Sequence, residues 1–117
     1  MPPANVLLPN PVAFMMQKLR IQRDRRPEKR AQDLLYIHDT LELFGGALEE
    51  LRTVWRGTLR TAMSERTARR AETCARTLFE HVTDDLRAAA RVSDGRRLTA
   101  DTLRGASDYG LKAILSE

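Results

Sequence analysis

The chain contains one cysteine, Cys74, among 117 residues. A single thiol excludes an intrachain disulfide and any zinc site built from four cysteines. Its place in the apolar register of a helix marks it as a small buried hydrophobe rather than a reactive thiol. No uninterrupted apolar run approaches the ~20 residues that cross a bilayer, and no basic region followed by a secretory hydrophobic stretch opens the chain. The reading is therefore no membrane partner, with the cytoplasm as the expected location. Aromatic residues amount to 5% and glycines to six. What remains is rich in Ala, Leu, Arg and Glu, whose side chains lose little freedom in a helix, so the composition predicts a helical protein.

The length suits one domain with a modest core. Net charge is +4, but the charge comes in blocks of alternating sign. Lys18 to Arg30 sums to +5 (seven basic, two acidic), Ala31 to Leu51 to −5, and Arg52 to Arg76 to +5 again. Such blocks suit helices with complementary faces, or one basic face turned to solvent toward a polyanion.

Pro2, Pro3 and Pro9 keep residues 1–10 out of a helix, and Val6-Leu7-Leu8 between them reads as a short strand. This extended segment precedes a single helical domain over residues 11–117. Asn10 and Pro11 form an N-cap and a first helical proline, and the helix is expected to run to about Arg25 with Val12, Met15 or Met16, and Leu19 inward. Pro27 ends it and opens a second, to about Phe44, striped by Leu34, Ile37, Leu41 and Phe44 and stopped by Gly45-Gly46. A third runs from about Ala47 to Met63 through Leu48, Leu51, Trp55 and Leu59. Ser64 caps a fourth from Glu65 to about Arg91, burying Ala71, Ala75, Leu78, Val82 and Leu86. Ser93-Asp94-Gly95 is a turn by composition. Thr99 caps a last helix through Leu103, Leu111 and Ile114, with Gly105 and Gly110 as places where it can break. The fold class expected is all-α, a bundle of about five helices.

The stretch from Asn5 to Ile37, NVLLPNPVAFMMQKLRIQRDRRPEKRAQDLLYI, carries an apolar run, a proline-framed helix start, Lys18-Leu19, a basic cluster from Arg23 to Arg26, and Asp33-Leu34. In this order it resembles the join between catalytic sheet and helical half in bacterial AbiEii-type and related nucleotidyltransferase-fold proteins. The resemblance implies that Lys18 reaches nucleotide phosphates and that Asp33 helps orient the site. It also implies that the amino-terminal strand is a connector or last sheet strand, left here without an intrachain partner, so that it is expected to be disordered, to lie over the bundle, or to pair with the same strand of a second copy in a symmetric dimer. The Gly-Ser followed by paired aspartates that binds metal in that family has no counterpart here. The resemblance thus implies a module inactive on its own, with magnesium only if a catalytic partner domain completes it. Its expected partners are a second copy in a homodimer, that catalytic domain, or nucleic acid.

Each candidate residue also has a plainer reading. Lys18 is otherwise a solvated lysine, and Asp33 a carboxylate placed favourably near a helix amino terminus. Asp84-Asp85 are adjacent on a helix, diverge by about 100° and do not converge on one metal ion. Gly105-Ala106-Ser107-Asp108 resembles a Gly-Ser motif, without a second aspartate two residues on. Arg76 and His81 have the spacing of the ribonuclease motif of HEPN domains, in which an arginine holds phosphate and a histidine shuttles a proton. Thr77 follows Arg76 where that motif has Asn, Asp or His, and among seventeen arginines such spacing also arises by chance. His38 has no metal-ligand partner at helical spacing and reads as a surface or boundary histidine. Arg20, Arg23, Arg25, Arg26, Lys29 and Arg30 make the densest basic patch. With no interleaved aromatic it points to phosphate contact rather than base-specific recognition.

Overall fold

The computed structural model describes residues 10–93, 96 and 98–115. Among them there are six helices and no strand. The expected strand at Val6–Leu8 and residues 94 and 95 of the expected turn lie outside the described residues.

Helix α1 is Pro11–Ile21. The Asn10 side chain accepts from the amides of Val12 and Ala13 at 2.9 and 3.2 Å, satisfying two N–H groups that a helix start leaves open. Its inner face is Val12, Met15, Met16 and Leu19. It stops short of Arg25, tightening into a 3-10 turn over Gln22–Asp24. Arg26 is then extended (ψ 153°), as a residue before proline must be, and Pro27 opens α2 over Pro27–Leu43. Ala31, Leu34, Ile37 and Leu41 bury its inner stripe. The Gly45-Gly46 pair does not end α2 with a left-handed cap. Neither glycine has positive φ, and a second 3-10 turn, Gly45–Ala47, leads into the next helix.

Helix α3, Leu48–Val54, passes directly into a π-helical turn over Trp55–Leu59 and a last turn at Arg60–Ala62. The Arg60 amide bonds the Trp55 carbonyl five residues back, which places this wide turn at the fully buried Trp55. The indole N–H donates to Glu72 Oε2 at 3.3 Å, and Arg60 Nε donates to the same oxygen at 3.1 Å.

The expected long fourth helix is two helices. α4 is Glu65–Leu78, capped by Ser64, and α5 is Asp84–Val92. Between them Phe79 drops into the core with no exposed surface. Thr83 restarts the helix by accepting from the Leu86 amide at 3.2 Å, and Asp84 and Asp85 place negative charge on the new N-terminus. Helix α6, Ala100–Leu115, runs unbroken through Gly105 and Gly110. Gly110 is needed for close approach: a Cβ there would lie 2.9 Å from Leu41 Cδ2 of α2. α6 packs on α2, α3, α4 and α5, while α1 packs on α2, α3 and α4, so the apolar stripes close on one another in a single core.

Candidate anion-binding site

The corner where α1 ends and α2 begins is built around Asp33. Asp33 lies near the end of the second turn of α2, beyond the first turn in which a helix N-terminus favours negative charge. Its side chain is 1% exposed, so a carboxylate there requires direct counter-charges. Lys18 Nζ of α1 lies 3.1 Å from Oδ1, and Arg25 donates from Nε to Oδ2 at 2.9 Å and from Nη2 to Oδ1 at 3.2 Å. This fork, with burial opposing it, raises the Arg25 pKa above its ordinary value. Lys18 is not a solvated lysine. Its ammonium lies 5.2 Å from the Phe14 ring centroid and 5.6 Å from that of Tyr36. The two residues to which the resemblance gives site roles, Lys18 and Asp33, therefore meet in one ion pair.

Arg30 extends the network. It donates from Nε to Asp85 Oδ2 of α5 at 2.9 Å and from Nη1 to the Arg25 carbonyl at 2.8 Å. Gln22 Nε2 reaches the Arg30 carbonyl at 3.5 Å, while its buried Oε1 has no partner among the described residues. Arg25 and Arg30 thus spend their charge inside the protein. The other four cations of the basic patch, Arg20, Arg23, Arg26 and Lys29, are exposed and have no ion pair among the described residues. Against them the same stretch sets only Asp24 and Glu28 as exposed acids, leaving an exposed excess of +2 (four basic, two acidic).

The backbone adds to this field. The N-cap of α2 is Arg26, which offers no side-chain acceptor, and the first helical residue is a proline. The Arg30 amide makes the first intrahelical bond, to the Arg26 carbonyl at 2.8 Å, so the Glu28 and Lys29 amides point out of the helix start without a side-chain cap. Outward amides, the positive end of a 17-residue helix and the exposed cations Arg26 and Lys29 at its start make a setting for a phosphate or carboxylate.

The remaining candidates are scattered. Arg76 lies on the wall of an open groove of about 420 Å³ between α4 and α6, with Ala75, Leu111 and Leu115 as its apolar part and the Asp108–Lys112 ion pair on its rim. His81 sits in the link after α4, 80% exposed and 3.2 Å from Glu80. Asp84 pairs with Arg87 and Asp85 with Arg30, so the adjacent acids turn to different partners. Ser107 is buried with its hydroxyl unpartnered among the described residues. His38 is buried rather than at the boundary, at 3% exposure, because its position between Leu34 and Leu41 keeps it on the inner edge of α2. Its Nδ1 lies 3.1 Å from Asp39, which Arg96 grips through two hydrogen bonds of 2.6 and 3.0 Å. Cys74 is half-buried against the core. Among the described residues no three His, Cys, Asp or Glu side chains gather in a way that holds a metal ion.

Sequence reasoning missed the aromatic part of the corner. Phe14 and Tyr36 come from different helices and meet with ring centroids 6.4 Å apart. The signal was the four-residue spacing of Phe14 and Lys18 on α1, which puts both on one face. Compared with protein-family models, curated proteins and solved structures, the chain matches none.

Proposed function

We propose that this chain is a binding module, without catalysis of its own, that holds the phosphates of a nucleotide or nucleic acid at the corner between α1 and α2. The observation that carries the reading is the division of labour within the basic patch. Arg25 and Arg30 are fixed by Asp33 and Asp85, while Arg20, Arg23, Arg26 and Lys29, spread from the last turn of α1 to the first turn of α2, are exposed, and the start of α2 has no side-chain cap. Lys18, committed to Asp33 and two aromatic rings, acts as a strut beneath the phosphate site. The nucleotidyltransferase-like ancestry belongs to the same proposal, with catalytic carboxylates and magnesium supplied, where chemistry occurs, by a partner domain.

The test is the affinity of a fluorescent twelve-nucleotide strand for the protein across a salt series. Four phosphate contacts on a single strand give a slope of log K against log salt near −3, from about −0.7 per contact. Replacing Arg20, Arg23, Arg26 and Lys29 together with glutamine is expected to abolish that slope. Unchanged binding by the quadruple variant sinks the proposal. Strand cleavage lost on His81→Ala would favour a ribonuclease using Arg76 and His81.

A further inference from the structure

We propose that the nucleic acid taken at this corner is single-stranded and that one of its bases stacks on Tyr36. The proposal rests on the phosphate-binding reading and adds to it the class of strand. Tyr36 is a large aromatic residue left 45% exposed on α2. Lys18 lies over the ring at 5.6 Å, and Phe14 packs beside it with a 57° tilt between the rings. Lys18 and Phe14 hold the ring from within the corner, and nearly half of the residue stays open to solvent. A ring held this way loses little further freedom when a base lies on it, which is the condition for tight stacking.

The ring is also in register with the cations. Lys29 and Tyr36 are seven residues apart on α2, within about 20° of the same direction and about 10 Å along the axis. That distance matches roughly three steps of a stacked strand at about 3.4 Å each. A strand with one base on Tyr36 therefore reaches the start of α2 with its backbone, where Lys29, Arg26 and the outward amides lie. Inside a duplex both faces of each base are covered by neighbours, so away from the two ends the tyrosine has nothing to stack on. A single strand offers an open base face and the same phosphates.

The experiment compares three labelled ligands by fluorescence anisotropy at one low salt concentration: twelve thymidines, a twelve-unit abasic strand with the same phosphates, and a twelve-base-pair duplex. The thymidine strand is expected to bind at least about fivefold more tightly than the abasic one, the lower end of what one stacked base contributes. Tyr36→Ala is expected to erase that difference, read as the ratio of the two affinities within the variant, since the change also removes one of the two rings beside Lys18. Tyr36→Phe keeps the ring and is expected to keep the difference. Equal binding of the two strands by the unaltered protein overturns the stacking proposal while the phosphate reading survives. Binding of neither overturns both. A duplex bound more tightly than the thymidine strand, or a base preference that persists in Tyr36→Ala, also overturns the proposal.

Discussion

Replacing Asp33 with alanine removes the acceptor of an Arg25 fork at 2.9 and 3.2 Å and the counter-charge of Lys18 at 3.1 Å. Breaking a buried ion pair from one side costs about 3–5 kcal/mol, because the other charge is left desolvated. Two features here reduce that cost. The Arg25 side chain is 31% exposed and can turn to water, and the Lys18 ammonium keeps its two aromatic neighbours. The expected loss is about 2–3 kcal/mol, read in urea as an unfolding midpoint roughly 1–2 M lower with an unchanged slope. The double change Lys18→Met with Asp33→Leu replaces the pair by apolar volume and is expected to recover most of the loss. A loss below about 0.5 kcal/mol for Asp33→Ala would place the carboxylate energetically in solvent and refute the strut argument.

Other expectations follow from the same structure. Gly110→Ala forces a Cβ to 2.9 Å from Leu41, while Gly105→Ala meets nothing within 4 Å. Thermal unfolding should therefore show Gly105→Ala stabilised by about 0.5–1 kcal/mol and Gly110→Ala worse than it by about 1–3 kcal/mol. Thr83→Ala removes the cap that restarts the chain as α5 and should cost about 1 kcal/mol in urea unfolding, with no loss expected if α4 and α5 were one helix. Glu65 is held to a pKa of about 2 by hydrogen bonds from Arg60 and then Arg69, against an ordinary value of 4.5. Its folded-state pKa is depressed, so its contribution is present above pH 4.5 and lost as pH falls toward 2. Asp39, lowered chiefly by Arg96, acts in the same direction. Urea midpoints taken across that acid range should fall, and fall less steeply in Glu65→Gln.

The fold was legible wherever local chemistry and helical period agreed. Asn10-Pro11, Pro27 and Ser64 each mark a helix start by a local rule, and the stripes of α1 and α2 follow from spacing alone. The break between α4 and α5 was hidden because Ala75, Leu78, Val82 and Leu86 keep a helical period across it. Only the threonine and two aspartates at positions 83–85 announced a new start. The unbroken course of α6 through Gly110 depends on what Leu41 does on another helix, which no local rule contains. The candidate site divides the same way. Sequence located the basic patch, but which of its members are spent inside the protein depends on the long-range partners Asp33 and Asp85. The Phe14–Tyr36 contact joins two helices and has no signature in either alone.

The most direct measurement is an amide NMR titration of the protein with the twelve-thymidine strand, repeated with inorganic tripolyphosphate. Both ligands are expected to shift the amides of residues 23–30, Glu28 and Lys29 foremost, and the strand alone also to shift Tyr36. The α4 surface around Arg66, Arg69 and Arg70 belongs to a block of the same net charge, +5, and serves as the internal comparison. Shifts centred on that α4 surface, or none at residues 23–30, would rule out a phosphate site at the start of α2.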